Sequence, residues 1–226
     1  MIAAWLVHLF TASGAVLAYL ALTAVVAGDL RAAFLYLLVS TLVDTVDGAL
    51  ARRARVTERL PLFNGARLDD IVDYLTFVFV PAFLLHSSGV VAGPLGLGAV
   101  IAVLLASALG FSRTDAKTAD HFFTGFPSYW NIVAVYLVAL RLPPAVSAVW
   151  LLAFAALVFV PIGYVYPSRT PAYRTVTVAL GIVWGVSIAA IIWTIAAPPR
   201  WLVLASLAYP VYYAALSLHL HVRRRP

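Results

Sequence analysis

Long apolar stretches, interrupted by short polar or turn-forming segments, cover almost the whole chain. A transmembrane helix needs about 20 apolar residues, and eight stretches reach or approach that length. Gly, Pro and Ser residues, which end helices and favour turns, separate most of them. The pattern predicts an all-α, polytopic membrane helical bundle of about eight transmembrane helices, forming a single membrane domain over residues 1–226. The predicted spans are roughly 3–27, 31–51, 67–86, 93–111, 127–141, 144–165, 175–197 and 201–221. The fifth is short and is expected to begin inside 122–126.

The composition also favours a membrane protein. Hydrophobic residues make up 64% of the 226 residues and charged residues 11%, with a mean hydropathy of +0.99, whereas soluble domains are less apolar and about twice as charged. The absence of cysteine excludes disulfides and thiolate metal sites. The first apolar run is too long for a signal peptide and lacks a basic leader. The net charge of +6 is explained by loops facing anionic lipid, so no nucleic-acid partner is expected.

The basic residues predict the orientation. With both termini cytoplasmic, 12 of the 15 Lys and Arg residues fall on the inside, which agrees with the positive-inside rule and requires an even number of spans. The three outside residues are Arg31, Arg141 and Arg200. The inside residues are Arg52, Arg53, Arg55, Arg59, Arg67, Arg113, Lys117, Arg169, Arg174 and Arg223 to Arg225.

Two pairs of aspartates lie where the second span ends and the third begins, in DTVDGALARRARVTERLPLFNGARLDDIVD, residues 44–73. Asp44 and Asp47 are three residues apart, and Asp69 and Asp73 four apart, so each pair shares a helix face. An antiparallel hairpin of the two spans would bring all four carboxylates together. Each ionised carboxylate costs about 3 kcal/mol or more near hydrocarbon, so a positive partner is needed. Oxygen-only ligands indicate Mg²⁺ or Mn²⁺, and four carboxylates suit the two-metal site typical of phosphoryl displacement.

Small residues accompany the acids. Gly48 and Ala51 continue the face of the first pair, and Gly65 lies one turn before Asp69, which leaves room for a planar group or for close helix packing. Arg52 lies beside this face, where its guanidinium can meet a phosphate oxygen. The alternative is a solvated loop in which acids pair with arginines. It accounts for Glu58 and Asp70, which lie off the face, but not for the aspartate spacing.

These residues resemble the signature of the CDP-alcohol phosphatidyltransferase family, D-x2-D-G-x2-A-R-x8-G-x3-D-x3-D. Every fixed position matches; the departure is a gap of twelve residues, not eight, between Arg52 and Gly65. The longer gap, the eight spans in place of six, and the stretches AWLVHLFTASGAV and FFTGFPSYWNIVAVYL resemble the bacterial phosphatidylcholine synthases of that family. The matching positions are Asp44, Asp47, Gly48, Ala51, Arg52, Gly65, Asp69 and Asp73.

The resemblance implies a reaction at the cytoplasmic face of the bacterial inner membrane: CDP-diacylglycerol and choline give phosphatidylcholine and CMP. It implies that Asp44, Asp47 and Asp69 hold the metals, and that Asp73 helps to hold them and acts as the general base. The small residues Gly48, Ala51 and Gly65, together with Arg52, would line the nucleotide pocket. Relatives are homodimers in the bilayer, so a homodimer is expected.

The first span carries a further nucleotide candidate. Many family members have Asn-x-x-Thr near the nucleotide, and the corresponding residues here are His8 and Thr11. The resemblance implies that Thr11 bonds a phosphate or ribose. His8 departs from the pattern, and both a structural role and a substrate contact are open to it.

An aromatic segment after the fourth span is the candidate acceptor site. Choline has no donor on its quaternary nitrogen and is recognised by aromatic faces. The acceptor candidates are Phe126, Tyr129, Trp130, Asn131 and Tyr166. In the same segment Arg113 and Lys117 are expected to bind phosphate, since like charges repel choline. The alternative for the aromatic residues is an interfacial belt, which is common in membrane proteins.

Two other functions remain open at this stage. The same chemistry can serve another acceptor, such as serine, glycerol phosphate or inositol phosphate, with Arg113, Lys117 and Arg169 binding an acceptor phosphate. A cation-coupled multi-pass transporter is a different class, but its charged residues are expected near mid-membrane. The aspartates here lie at the end of their spans.

Overall fold

The computed structural model describes residues 1–224, and Arg225, assigned above to the cytoplasmic side, lies outside the described residues. The helices are α1 (Ile2–Val26), α2 (Leu30–Arg53), α3 (Val56–Arg59), α4 (Gly65–Asp73), α5 (Val80–Ser87), α6 (Gly93–Phe111), α7 (Trp130–Leu140), α8 (Pro144–Leu157), α9 (Arg174–Trp193), α10 (Arg200–Ser206) and α11 (Ala208–Arg223). A π-helical segment, Tyr74–Phe79, joins α4 to α5 without a break. Two short antiparallel strands, β1 (Phe122–Thr124) and β2 (Gly163–Val165), form the sheet of this part of the chain.

Five helical stretches within residues 1–224 are long and apolar enough to cross a membrane: Ile2–Val26, Leu30–Arg53, Gly93–Phe111, Arg174–Trp193 and Arg200–Arg223. The continuous run from α4 to α5 matches the third predicted span, and α7 and α8 are shorter apolar helices. The prediction of an all-α polytopic membrane protein is therefore confirmed. The count of eight spans and the cytoplasmic side of both termini stay predictions.

Two predicted boundaries are wrong. The fifth span does not begin within 122–126; α7 begins at Trp130, because Phe122–Thr124 pair as β1. The sixth span ends at Leu157, not at 165, because Gly163–Val165 form β2. Short apolar runs do not distinguish strand from helix by periodicity, so the pairing was not visible in the sequence.

Local signals at the helix ends explain where the helices that carry the acids begin. The Asp29 carboxylate accepts a hydrogen bond from the Ala32 amide at 2.9 Å and caps α2. Asn64 caps α4 in the same way, accepting from the Arg67 amide at 3.0 Å. Side-chain acceptors of this kind satisfy amides that have no partner in the first helical turn. The cap at Asn64 fixes the register of α4 after the long connection, which absorbs its extra residues partly as the short helix α3.

The core lies between the helices, and apolar side chains also cover the outside. Ala21 and Ala33 are fully buried where α1 packs along α2, and small side chains let transmembrane helices approach closely. Large apolar residues such as Trp150, Val186 and Trp201 are at least half exposed. An outer surface of this kind suits acyl chains rather than water.

Both ends of the described chain lie at one end of the bundle. Near the N-terminus, Ala4 packs with Val56 and Leu60 of the connection between α2 and α4. Near the C-terminus, Arg224 pairs with Asp120 in the loop between α6 and α7. The acids lie at this same end, since α2 finishes and α4 begins there.

Candidate active site

Three aspartates from two helices converge at this end of the bundle. Carboxylate oxygens of Asp44 and Asp47, from α2, and of Asp69, from α4, all lie within 4.8 Å of one another. Asp73 lies one turn after Asp69 and lines the same cavity as Asp44 and Asp69. A set of carboxylate oxygens at this separation fits a hard divalent cation. The three acidic residues can therefore hold a metal ion.

Asp47 is buried and is held by the first helix. The Thr11 hydroxyl donates to the Asp47 carboxylate at 2.8 Å. The hydroxyl of Thr11, a predicted nucleotide contact, thus orients an acid, and its contact with the nucleotide stays a prediction. A buried carboxylate needs such a donor, because its unpaired lone pairs would be costly away from water.

Two glycines allow α1 to pack tightly against α4. A Cβ on Gly65 would lie 2.8 Å from Cε1 of His8, and a Cβ on Gly14 would lie 2.5 Å from a methyl group of Val72. Thr11 lies between these two contacts on α1. The glycines therefore bring Thr11 and the start of α4 to the acid cluster at the same depth.

The other predicted nucleotide residues, Gly48, Ala51 and Arg52, lie in the last turns of α2. Gly48 is half-buried on α2, and the exposed Arg52 side chain folds back to within 3.4 Å of the position a Gly48 Cβ would take. Ala51 packs toward the small apolar cluster of Ala4, Val56 and Leu60. His8 is buried, with no hydrogen-bond partner on Nε2, and its ring lies 4.2 Å from that of Phe63.

Lys117 reaches the acids from the loop between α6 and α7. Its ammonium lies 4.0 Å from Asp69 and 3.9 Å from Asp70. Partial desolvation opposes its charge, but the carboxylates of Asp69, Asp70 and Asp73 outweigh this and raise the pKa of Lys117 above its usual value. Lys117 therefore stays cationic beside the site. Asp70, which the sequence placed off the active face, lines the cavity with it.

Arg113, the second predicted phosphate ligand, is engaged elsewhere. Its guanidinium donates two hydrogen bonds to Asp115, at 2.8 and 2.7 Å. The hydrogen bond from Arg113 lowers the pKa of the Asp115 carboxyl, so Asp115 stays ionised and keeps Arg113 paired. The structure does not bring Arg113 into the cavity lining.

A cavity of about 170 Å³ opens beside the acids. Aromatic side chains line this cavity together with the carboxylates, and Phe123 stacks on Tyr166 with ring centroids 4.6 Å apart. The π-helical segment adds Phe77, four residues after Asp73; such segments are frequent at functional sites. The cavity is lined by Asp44, Asp69, Asp70, Asp73, Phe77, Gly110, Phe111, Ala116, Lys117, Phe123, Thr124, Phe126, Pro127, Ser128, Tyr129, Val158 and Tyr166.

The predicted acceptor residues divide into two groups. Phe126, Tyr129 and Tyr166 line the cavity. Trp130 and Asn131 do not. The Trp130 side chain is fully buried and its indole N–H donates to the Ser107 hydroxyl at 2.7 Å. The Asn131 amide donates to the Thr41 hydroxyl at 3.0 Å, which ties α7 to α2 one turn before Asp44.

Asp70, Phe77 and Phe123 also line the cavity but are not among the predicted site residues. The position of Asp70 next to Asp69 weakly indicates a place in the site, and so does that of Phe123 in the aromatic run before Phe126. Nothing in the sequence indicates such a place for Phe77, because an apolar residue inside an apolar span looks like any lipid-facing or core residue.

Curated proteins match the chain over most of its length, although no protein-family model matches it. It is 40% identical over 184 residues to a phosphatidylcholine synthase of Pseudomonas aeruginosa, covering 81% of this chain and 77% of the relative. The identity is 41% over 187 residues to one of Bradyrhizobium diazoefficiens, covering 81% and 69%. It is 32% over 222 residues to one of Rhizobium meliloti, covering 98% and 92%. With this identity and coverage, the chain belongs to the phosphatidylcholine synthase family of enzymes.

Proposed function

We propose that this enzyme transfers the phosphatidyl group from CDP-diacylglycerol to choline, releasing CMP. The observation that carries the proposal is the convergence of Asp44, Asp47 and Asp69 beside Asp73 and a cavity with aromatic walls. The relatives' names support choline lipid as the product. The site would lie at the cytoplasmic face of the bacterial inner membrane, and the enzyme would act as a homodimer.

The carboxylates of Asp44, Asp47, Asp69 and Asp73 would hold two divalent ions, Mn²⁺ or Mg²⁺. Bound ions of this kind neutralise a diphosphate and stabilise the leaving phosphate. The hydrogen bond from Thr11 would keep the Asp47 carboxylate turned toward the ions. Second-shell contacts of this kind tune metal sites.

The transfer itself needs one base and one leaving group. The choline hydroxyl oxygen attacks the β-phosphorus of CDP-diacylglycerol, and Asp73 takes the proton of that hydroxyl. The new bond joins the choline oxygen to phosphorus. The bond between the β-phosphorus and the bridging oxygen breaks, and CMP leaves with that oxygen and its electron pair.

The aromatic wall would bind the choline head. Tyr129, Tyr166 and Phe123 line the same cavity as the carboxylates, and a quaternary ammonium is attracted to the faces of such rings. Lys117 would meet the diphosphate rather than choline, because its positive charge repels the acceptor. Gly48, Gly65 and Arg52 would border the nucleotide.

The direct test is product identification with purified protein in nanodiscs. CDP-diacylglycerol and Mn²⁺ are supplied with choline, serine, glycerol phosphate or inositol phosphate in separate reactions. We expect choline-dependent release of CMP and formation of phosphatidylcholine, abolished by EDTA and restored by Mn²⁺ or Mg²⁺. CMP release with a different acceptor, and not with choline, would mean that the enzyme transfers the phosphatidyl group to that acceptor. Cation flux without CMP release would favour a transporter.

Replacing Lys117 by glutamine is expected to raise the KM for CDP-diacylglycerol about tenfold, the effect of losing one charge-assisted contact to phosphate. Steady-state kinetics at saturating choline measure this. The matched control is Arg174→Gln, since Arg174 is exposed at the start of α9 and does not line the cavity. An unaltered KM in the Lys117 variant would contradict a phosphate contact.

Tyr129 and Trp130 are adjacent but should respond differently to alanine. Tyr129→Ala should raise the KM for choline about tenfold through loss of a cation–π contact of roughly 1–2 kcal/mol. Trp130→Ala removes a fully buried ring and should lower the free energy of unfolding by about 3–5 kcal/mol. Thermal unfolding and two-substrate kinetics separate the effects. A selective choline defect in Trp130→Ala would show that this ring, too, belongs to the acceptor site.

A further inference from the structure

The outer edge of strand β2 is paired by side chains of a helix instead of by a third strand. The Val165 amide donates to the Ser217 hydroxyl at 3.1 Å, and the Tyr213 hydroxyl donates to the Val165 carbonyl at 2.9 Å. The Gly163 amide donates to Nδ1 of His221 at 3.2 Å. Without these bonds, the outward-facing backbone N–H and C=O groups of β2 would have no hydrogen-bond partner in the sheet.

The residues that make these contacts form one stripe along α11. Tyr213, Ser217 and His221 are four residues apart, and Arg224 follows three residues later, so all lie on one helix face. The Arg224 guanidinium pairs with Asp120 at 2.6 Å and covers the Phe122 ring at 3.9 Å. It passes over Gly163, where a Cβ would require the Arg224 side chain to shift. We call these four residues the α11 stripe.

The two-stranded sheet held by the stripe carries three residues of the cavity. β1 pairs with β2 along its inner edge, and on its other side Phe123 pairs with Lys117. Tyr166 follows β2 directly and stacks on Phe123. Lys117, Phe123 and Tyr166 therefore stand on a small sheet whose outer edge is bonded to α11. In addition, the Tyr213 ring lies 6.5 Å from that of Tyr129, which lines the cavity.

We propose that the α11 stripe is a set of positioning residues that sets the affinity for the acceptor. None of the four lines the cavity, so they act through the sheet. Resting on the choline reaction proposed above, the inference is that releasing β2 from α11 moves the Phe123–Tyr166 wall away from the acids. Choline binding then weakens more than binding of CDP-diacylglycerol, because the aspartates on α2 and α4 keep their geometry and only Lys117, on the nucleotide side, moves with the sheet.

The kinetic test compares variants of the stripe with variants of an exposed, adjoining face of α11. Ser217→Ala, His221→Phe and Arg224→Gln should each raise the KM for choline about fivefold, the factor expected for one lost hydrogen bond. The KM for CDP-diacylglycerol should rise clearly less than the KM for choline, and the kcat should change less than about twofold. Leu218→Ala and Val222→Ala are the controls, since both side chains are exposed, and they should leave all three constants near wild type.

Two rescue variants distinguish a positioning role of the stripe from general destabilisation of the fold. His221→Asn keeps an acceptor near the place of Nδ1 and should restore most of the choline affinity lost in His221→Phe. The exchange Asp120→Arg with Arg224→Asp should recover affinity lost in either single variant. Equal rises in both substrate constants, or failure of both rescues, would overturn the proposal.

A second measurement does not depend on activity. Amide hydrogen exchange in nanodiscs should be faster in the peptides containing Gly163 and Val165 for Ser217→Ala and His221→Phe, and unaltered in the two controls. If exchange rises while the choline KM stays constant, the stripe anchors the sheet without setting acceptor affinity, and the proposal fails. If wild-type protein makes no product from choline, the proposed function fails instead. The exchange data still report whether α11 holds the two-stranded sheet.

Discussion

Asp73→Asn is expected to lower turnover by about 10²- to 10⁴-fold, the usual contribution of a general base. Asparagine keeps the size of the side chain but cannot accept the choline proton. Asp73 lines the cavity one turn after Asp69, so the loss of one carboxylate of the set should weaken binding of CDP-diacylglycerol far less than turnover. Single-turnover CMP release and equilibrium binding of the nucleotide lipid measure the two effects.

Glu58→Gln is the control for Asp73→Asn, because Glu58 is an exposed acid in the connection between α2 and α4. It should keep wild-type turnover, which shows that loss of a neighbouring negative charge alone is harmless. Turnover within a few-fold of wild type in Asp73→Asn would remove the proposed base and leave deprotonation to another group or to water.

Asp47→Ala is expected to lower kcat/KM by about 10³-fold or more, because several kcal/mol of charge stabilisation depend on the bound ions. Asp47 is the buried member of the cluster, so no solvent-exposed side chain readily replaces it. The concentration of Mn²⁺ that gives half-maximal activity should rise in the same variant. Activity against a Mn²⁺ titration measures both constants.

Thr11→Val is the companion to Asp47→Ala. It keeps the shape of the side chain but removes the donor to Asp47, so it should raise the Mn²⁺ requirement about tenfold or more, as losses of second-shell contacts do. An unchanged Mn²⁺ requirement in both variants would contradict a metal role for Asp47.

Helix periodicity predicted the convergence of the acids. Residues three or four apart share a face, and two consecutive membrane spans must run antiparallel, so all four aspartates were expected to meet; Asp44, Asp47 and Asp69 form the cluster, and Asp73 lines the adjoining cavity. The carboxylate oxygens of the three in the cluster do lie within 4.8 Å of one another. The cap at Asn64 supplied the register that the longer gap had left open.

The acceptor side was less predictable, because neighbours in sequence do not share a direction on a helix. Tyr129, Trp130 and Asn131 are consecutive, but α7 begins here and successive side chains point about 100° apart. Tyr129 thus lines the cavity, Trp130 enters the core and Asn131 meets Thr41. Only the position of α7 among its neighbours decides which of the three faces the site.

The sequence by itself determined the all-α membrane class of the protein, most of its apolar helices and the acidic cluster. These features depend on hydrophobic runs and on spacing within one helix or between adjacent helices, and both can be counted along the chain. Tertiary structure alone decided that Thr11 holds Asp47, that Lys117 and Asp70 join the site, and that α11 holds the two-stranded sheet bearing Phe123. Those contacts join segments far apart in the chain, and their energies depend on packing that no local pattern encodes.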